Sequence, residues 1–507
     1  MDLISGLALG IDTAITGEAL LYCFIGVTVG MFIGVLPGIG PLAAVSMVLP
    51  ITFHLDPMSA LIMLAGIFYG AQYGGSTASI LLNLPGTSTT AVTAIDGYPM
   101  AKQGRAGIAL FITTIASFLG GCFAIVLLMS FAPVLGRLAL RFSSAEYFSI
   151  MLLGLVAAST MSLGSTFKGL VSVAAGLLIS MVGMDPTSGY IRFTFGILEL
   201  QDGLSLVAIA MGLFGVAEIL KNAGSPERDT RALQKVRIRD LIPTRKDMSQ
   251  SWMPILRGAG IGSFVGILPG AGPTMAAFMA YAMEKRVARD KSRFGRGAIE
   301  GISAPESANN ASTQAAFIPT LSLGIPGDAG MAVLLGAMMI HGIVPRPEFF
   351  STNPDLFWGL VVSFWVGNLM LLVLNIPLIG VWVRILAIPQ RLLFPAIIFF
   401  ICVGVYSINN NPFDVMVVIV FGIVGYFMNI FQYPPAPLLM GFILGPMMEQ
   451  HFRRALLYSR GDLWTFIDRP VSAAFLACSV ALMVVVALPS LRRRSGRGRR
   501  AALETED

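Results

Sequence analysis

Residues 34–41 read Gly-Val-Leu-Pro-Gly-Ile-Gly-Pro, and residues 266–273 read Gly-Ile-Leu-Pro-Gly-Ala-Gly-Pro. Each copy lies inside an apolar stretch. Proline removes a backbone hydrogen-bond donor, and glycine adopts conformations that a helix does not use, so the motif predicts a broken helix. In hydrocarbon, backbone groups freed by a break each cost several kcal/mol unless protein, water or a ligand pairs with them. Both breaks are therefore expected beside an aqueous cavity.

The composition of the whole chain indicates an integral membrane protein. Of its 507 residues, 55% are hydrophobic and 12% are charged, with a mean hydropathy of +0.77. Soluble domains carry about a quarter charged residues. Several apolar stretches approach the roughly 20 residues that cross a hydrocarbon core, and we predict an all-α polytopic protein of about 11–12 transmembrane helices. The clearest stretches are 20–36, 108–131, 204–220, 357–374, 415–431 and 471–488.

The two copies continue beyond the first motif. Residues 73–79 read Tyr-Gly-Gly-Ser-Thr-Ala-Ser and precede a Leu-Pro-Gly at 84–86. Their proposed counterpart, Pro-Glu-Ser-Ala-Asn-Asn-Ala-Ser at 305–312, precedes an Ile-Pro-Gly at 325–327. Matches in the same order indicate an internal duplication.

The duplication and the charge pattern predict a domain plan. The stretch 221–251 carries eight Lys or Arg residues between Lys221 and Lys246, which indicates a cytoplasmic linker. The predicted parts are a first transmembrane repeat at 1–220, the basic linker at 221–251, a second transmembrane repeat at 252–431, C-terminal membrane segments at 432–490 and a disordered charged tail at 491–507.

Basic residues also suggest how the repeats are oriented. The loop at 53–57, after the first motif, has no Lys or Arg, whereas the equivalent loop at 284–297 has six. Positively charged loops stay on the cytoplasmic side, so corresponding loops are expected on opposite sides of the membrane. This pattern is typical of inverted-topology repeats.

The broken helices are interpreted as a binding site, because free N–H groups at half-helix N-termini attract carboxylates and opposing carbonyls suit Na⁺. The alternative is that they are kinks or packing corners. Hydroxyl and amide side chains near the breaks fit an oxygen-rich solute, although such groups also join helices. The predicted substrate-binding residues are Pro37, Gly38, Gly40, Ser76, Thr77, Asn83, Pro85, Gly86, Thr87, Pro269, Gly270, Gly272, Ser307, Asn309, Asn310, Pro326 and Gly327.

Three acidic residues are predicted to couple transport to an ion. Glu306, Asp328 and Asp96 lie in apolar or small-residue segments, where an acidic group is costly and usually functional. Two of these residues have an alternative role: Glu306 could pair with a loop arginine, and Asp96 could cap a turn. A Na⁺ site is predicted near the two breaks, with ligands that the sequence leaves open.

Catalytic motifs are absent from the sequence, so we predict that the chain is not an enzyme and needs no cofactor. There is no Walker loop and no His-Glu-x-x-His, and the three histidines lie far apart. The net charge of +6 resides in loops and the C-terminus, where the positive-inside rule explains it without nucleic acid.

These motifs, in this order, make the chain resemble the large membrane subunit of tripartite tricarboxylate transporters, the TctA family, from about residue 15 to about residue 450. The resemblance implies a permease in the bacterial inner membrane. It also implies two partners, a small four-helix membrane subunit (TctB-like) and a periplasmic solute-binding protein (TctC-like). Uptake of citrate or other carboxylates would be driven by an ion gradient, with Na⁺ or H⁺ as the coupling ion.

Two other function classes stay open on the sequence. A channel would use the breaks as reentrant pore loops, and an intramembrane enzyme would change its substrate covalently. The sequence does not specify the solute, or whether transport proceeds by a rocking or an elevator motion.

Overall fold

The computed structural model describes residues 3–36, 40–139, 141–161, 165–185, 188–223, 238–268, 272–343, 345, 348–386 and 390–484. Four predicted site residues, Pro37, Gly38, Pro269 and Gly270, lie outside these ranges. Residues 224–237 of the predicted linker and the whole charged tail also lie outside them.

The described chain is almost entirely helical, as the hydropathy pattern predicts. The helices of the first part are α1 Leu3–Ala14, α2 Gly17–Val35, α3 Pro41–Thr52, α4 Pro57–Leu82, α5 Ala91–Met100, α6 Ala106–Ala139, α7 Ser144–Met161, α8 Thr166–Ile179, α9 Leu206–Ala210 and α10 Ala217–Asn222. Two short strands, β1 Gly183–Met184 and β2 Ile191–Arg192, pair antiparallel. Shorter helical turns span Ser88–Thr90, Ala101–Arg105, Leu198–Leu200 and Met211–Val216.

The second part continues in the same manner. Its helices are α11 Arg245–Ile267, α12 Gly272–Val287, α13 Glu300–Ala315, α14 Phe317–Leu323, α15 Ala329–Ile340, α16 Phe349–Thr352, α17 Pro354–Asn375, α18 Ile379–Ile385, α19 Gln390–Asn409, α20 Pro412–Ile430, α21 Pro435–Tyr458, α22 Thr465–Asp468 and α23 Pro470–Val484. Short turns span Ile238–Leu241 and Lys291–Arg293.

Four helical stretches of the described chain are long and apolar enough to cross a membrane. They are Gly17–Val35, Ser88–Val134, Pro354–Asn375 and Pro412–Ile430. Shorter apolar helices accompany them, among them α3 and α15, which follow the Pro-Gly motifs. The chain is an all-α polytopic membrane protein. The number of crossings stays a prediction.

The chain forms two compact units. One comprises residues 1–140 and 204–430, and the other comprises residues 141–203 and 431–507. In the second unit, α21 packs against α7 and α8. Ion pairs stabilise it, since Arg453 contacts both Asp185 and Glu449 at 2.9 and 2.6 Å, and Arg192 contacts Glu449 at 2.9 Å. The predicted domain plan differs from this division and stays a prediction.

Within the first unit, the two halves of the duplication pack in the same way. Helix α2 lies against α4, and α11 lies against α13, each through three glycines spaced four residues apart. A Cβ atom added to any of these glycines would lie 2.2–2.4 Å from a carbonyl oxygen of the facing helix. The facing pairs are Gly26–Met63, Gly30–Ile67 and Gly34–Ala71 in the first repeat, and Gly258–Ala304, Gly262–Ala308 and Gly266–Ser312 in the second. Backbones approach this closely only at glycine.

These contacts correct the alignment of the polar segments. The glycine helices correspond at an interval of 232 residues (34 to 266), but the facing helices correspond at 241 (71 to 312). The counterpart of Tyr73 is therefore Gln314, and its predicted alignment with Pro305 is wrong by nine positions. The nine additional residues of the second repeat lie between α11 and α13, in the part of the chain that contains the basic loop.

The ends of the facing helices confirm this register. Helix α4 ends at Asn83 with φ 55°, and α14 ends at Gly324 with φ 69°, so both caps are left-handed. Four residues earlier, Ser79 donates to the Gly75 carbonyl at 3.1 Å, and Thr320 donates to the Ala316 carbonyl at 2.8 Å. Each of these pairs is 241 residues apart. Their inverted orientation in the membrane stays a prediction.

Candidate functional site

Helix α13 is the most unusual element of the molecule. Its sequence, Glu-Gly-Ile-Ser-Ala-Pro-Glu-Ser-Ala-Asn-Asn-Ala-Ser-Thr-Gln-Ala, is rich in polar residues, yet every residue from Gly301 to Ala315 is buried. Buried helices are normally apolar on all faces. Each polar group here must find a partner or cost free energy, so the pairing of these groups determines what the helix does.

Among the described residues, the Glu306 carboxylate of α13 accepts its hydrogen bonds from two hydroxyl groups. Thr93 of α5 donates to Oε1 at 2.5 Å, and Ser117 of α6 donates to Oε2 at 3.4 Å. Glu306 is 1% exposed. The alternative that Glu306 pairs with a loop arginine is wrong for the described residues, because no ion pair of theirs includes it.

Asn309 lies one helical turn after Glu306 and is also 1% exposed. Both polar atoms of its side chain, Oδ1 and Nδ2, lack a hydrogen-bond partner among the described residues. Residues three positions apart share a helix face, so Asn309 lies on the same face of α13 as Glu306. A buried amide left unpaired costs about 1–3 kcal/mol, which a ligand would recover.

Other predicted residues of α13 pair with backbone groups. Ser307 donates to the Ile255 carbonyl at 2.8 Å, and Asn310 donates to the Glu306 carbonyl at 3.1 Å. These two contacts join helices or stabilise α13 itself. Asn309 differs from both of them in having no such bond.

In the first repeat, the polar side chains bond mainly to one another. Thr89 donates to Gln72 at 2.9 Å, Thr87 lies 2.7 Å from Thr89, and Ser79 donates to Thr90 at 2.9 Å. These bonds hold the turn that follows the first Leu-Pro-Gly against α4. The cluster is a satisfied network, which gives it a structural role in this conformation.

The remaining predicted residues of the first repeat occupy positions around this turn. Ser76 donates to the Tyr73 carbonyl at 2.9 Å, and Thr77 is buried. Asn83 is the left-handed cap of α4 and, like Pro85, is exposed. Gly86 is buried against α2, where an added Cβ would lie 2.2 Å from the Gly34 carbonyl oxygen.

The residues after each break begin a new helix. Gly40 precedes α3 with extended backbone, and Gly272 begins α12 with φ +62°. Pro326 and Gly327 are buried, and an added Cβ on Gly327 would lie 3.1 Å from the Gly266 carbonyl oxygen. In each repeat, the later Pro-Gly turn therefore lies against the last turn of the helix that precedes the break.

A hydroxyl pair joins these parts of the two repeats. Ser88, beside the first Leu-Pro-Gly, lies 3.0 Å from Thr274, beside the second break. Helix α12 also packs against the turn at Ser88–Thr90. The structure thus places the first-repeat turn against the start of α12, the helix that follows the second break in the chain.

Asp328 caps a helix. Its Oδ1 accepts from the Met331 N–H at 2.8 Å, so the residue closes the N-terminus of α15. It also lies beside the second break, since an added Cβ on Gly272 would be 3.4 Å from its Cβ. Its predicted role in ion coupling stays a prediction.

Asp96 holds a loop of the other repeat. Its Oδ1 accepts from three backbone N–H groups, those of Gly295, Gly297 and Ala298, at 2.8–2.9 Å. Its Oδ2 accepts from the Tyr281 hydroxyl at 3.0 Å. Asp96 is therefore a cap, in agreement with the alternative that it caps a turn. The turn that it caps is at 295–298, at the end of the basic loop, and not the turn at Asp96 itself.

Two hydroxyl residues of the site were missed by sequence reasoning. Thr93 and Ser117 lie in stretches that read as ordinary membrane helices, where single hydroxyls are common. Only their contact with Glu306, more than 180 residues away in sequence, distinguishes them. A lone Ser or Thr in an apolar span carries no stronger signal.

Comparison with known proteins gives one family. The family described as "Tripartite tricarboxylate transporter TctA family" matches residues 20–440. An uncharacterized 52.8 kDa protein in the TAR-I ttuC' 3'region of Agrobacterium vitis is 49% identical over 494 residues, covering 97% of this chain and 98% of that protein. An uncharacterized protein in the TAR-II ttuC' 3'region is 50% identical over 233 residues, covering 46% of this chain and 96% of its own length. No solved structure matches the chain.

Proposed function

Since the chain belongs to the tripartite tricarboxylate transporter TctA family, we propose that it is the large permease subunit of a binding-protein-dependent secondary transporter. Its solutes are carboxylates of the tricarboxylate or dicarboxylate type. Their uptake across the bacterial inner membrane is coupled to Na⁺ or H⁺. The partners are a small four-helix membrane subunit and a periplasmic solute-binding protein, and no cofactor takes part.

One observation supports this proposal most strongly. Helix α13, buried from Gly301 to Ala315, carries Glu306 and the unpaired amide of Asn309, and it packs on α11, the helix that precedes the second Pro-Gly break in the chain. Packing alone does not explain polar groups of this kind in a membrane protein. Broken helices with free backbone groups are a common form of substrate and ion site in secondary transporters.

The predicted site also lacks basic side chains. Among the predicted binding residues there is no Lys or Arg, so an anionic solute would be bound by backbone N–H groups, amides and a co-bound cation. This arrangement favours coupled entry of solute and cation. The described residues contain no cluster of three His, Cys, Asp or Glu that could hold a transition metal.

A counterflow experiment distinguishes a secondary transporter from a channel. Proteoliposomes with the full chain and its small membrane subunit would be loaded with unlabelled citrate or a dicarboxylate. External labelled solute would then be supplied with the binding protein. A secondary transporter accumulates label transiently against its gradient, whereas a channel only equilibrates it. Label that never exceeds equilibrium would overturn the proposal, and a covalently altered product would indicate an enzyme.

A further inference from the structure

The strongest unassigned feature is a group of oxygen atoms around Glu306. Thr93 and Ser117 contact the two carboxylate oxygens from different helices, and Asn309 brings an unpaired amide oxygen one turn away. All four residues are at most 1% exposed. Carboxylate, hydroxyl and amide oxygens are the ligands that hard cations prefer.

The fold itself does not require polar residues at these positions. In the 241-residue register, the first-repeat counterparts of Glu306 and Asn309 are Ala65 and Phe68, which are apolar and buried. Helix α4 packs on α2 as α13 packs on α11, so the same packing forms without the carboxylate and the amide. Their presence in the second repeat alone therefore indicates a ligand.

Charge balance identifies the kind of ligand. Two basic side chains of elements next to α13 and α6 have carboxylate partners elsewhere, since Arg257 of α11 pairs with Glu284 and Arg105, just before α6, pairs with Asp247, each at 2.5 Å. A buried carboxylate without a counter-charge is costly. One negative charge among neutral oxygens is matched by a monovalent cation, whereas Ca²⁺ and Mg²⁺ sites in proteins usually employ further carboxylates.

We propose that Glu306, Asn309, Thr93 and Ser117 form a Na⁺ site. Glu306 supplies the charge, Asn309 supplies its Oδ1, and the two hydroxyls supply oxygens that turn from the carboxylate to the ion. Three helices contribute, namely α13 of the second repeat, α5 of the first repeat and α6. The site therefore joins the repeats, and its occupancy favours the arrangement in which they meet.

Thermal unfolding of the purified full-length chain in detergent tests this site without any solute. NaCl would be titrated against choline chloride at constant ionic strength, with KCl as a second series. A ligand that binds only the folded state raises the melting temperature as its concentration rises. Na⁺, and not K⁺ or choline, is expected to raise it.

Variants then locate the site. Glu306→Gln and Thr93→Val preserve shape, and each is expected to raise the half-saturating Na⁺ concentration about ten-fold or more, as the loss of a coordinating or supporting group does. Thr93→Ser restores the hydroxyl and is expected to return wild-type Na⁺ dependence. The matched control is Thr114→Val on α6, because that buried hydroxyl only bonds the Leu110 carbonyl of its own helix at 2.8 Å.

The Na⁺ site would be overturned by the absence of Na⁺-specific stabilisation of the wild type, by wild-type half-saturation in Glu306→Gln and Thr93→Val, or by an equal loss of Na⁺ affinity in Thr114→Val. A stabilisation that follows pH through Glu306 but ignores Na⁺ would also overturn it and make Glu306 a proton carrier. The inference rests on the proposed cation coupling, but the experiments distinguish a failure of the Na⁺ site from a failure of the proposed function. Na⁺ binding without carboxylate counterflow refutes the proposed function alone, and counterflow without Na⁺ binding refutes the site alone.

Discussion

The two repeats share a backbone frame but differ in their polar groups. In both, three glycines of one helix contact carbonyls of the next, and the facing helix ends in a left-handed cap before a Pro-Gly turn. In the first repeat, the hydroxyls of Ser79 and Thr87 donate to the Thr90 hydroxyl. The second places Glu306 and the unpaired Asn309 at positions where the first has apolar residues.

This difference separates scaffold from function. What the repeats share, the glycine contacts and the caps, is what the fold requires. Polar groups that occur in only one repeat are not required by the shared fold, so they can bind a ligand or connect the two repeats. By this criterion the proposed ion site belongs to the second repeat. The first repeat contributes Thr93 to that proposed site, and its Asp96 caps a loop of the second repeat.

The largest effect is expected where the repeats differ most. Asp96 accepts hydrogen bonds from three backbone N–H groups and from the Tyr281 hydroxyl, and its second-repeat counterpart is Ala337. Asp96→Ala would leave these donors unpaired and is expected to cost about 3–5 kcal/mol of stability. The stability loss is measured in detergent from the amount of folded protein, by fluorescence-detected size exclusion, and from the melting temperature. Asp290→Ala, in the exposed part of the same loop, is the control, and an equal loss there would contradict the capping role.

The shared glycine contacts predict the next effect. Gly34→Ala and Gly266→Ala place a Cβ 2.2 and 2.4 Å from backbone oxygens, so each is expected to destabilise by about 2–3 kcal/mol. Gly260→Ala on α11, where an added Cβ meets nothing within 4 Å, is expected to be neutral or to gain slightly in helix propensity. Melting temperatures of the three proteins decide this. The equivalence of the repeats would be refuted if the melting temperatures of Gly34→Ala and Gly266→Ala differed from each other as much as either differs from that of Gly260→Ala.

A smaller change of opposite sign is expected at Asn309. Asn309→Leu removes an unpaired buried amide and is expected to raise stability by about 1 kcal/mol in Na⁺-free buffer. The same variant is expected to lose most solute uptake, because the site loses an oxygen. Melting temperature and counterflow are measured together. A variant that is both less stable and fully active would show that Asn309 is structural.

The smallest effect concerns the helix caps. Asn83→Gly keeps the left-handed cap and is expected to change stability by only a few tenths of a kcal/mol, whereas Gly324→Ala strains the same conformation and is expected to cost about 1 kcal/mol. Solute uptake by Asn83→Gly should be measured as well, because it tests the predicted role of Asn83 in substrate binding. Wild-type uptake would remove Asn83 from the predicted substrate-binding residues, and a specific loss of uptake without instability would keep it there.

Much of this architecture could be predicted from local patterns. Hydropathy predicts the helical membrane class, and the repeated Gly-x-Leu-Pro-Gly-x-Gly-Pro predicts the breaks and the duplication, because proline and glycine act on their own backbone. The register of the polar helices could not be predicted in this way. An insertion between two helices leaves no local signal, so similar small and polar residues were paired nine positions out of place.

The sequence by itself therefore determined the membrane class, the duplication, the family and the choice of Glu306, since these depend on composition, order and the cost of a charge in an apolar segment. Only the tertiary structure decided what each polar group contacts. Thr93 and Ser117 became candidate ligands, and Asp96 became a loop cap, through contacts between residues about 190–210 positions apart. Such contacts depend on how helices pack, and no spacing along the chain records them.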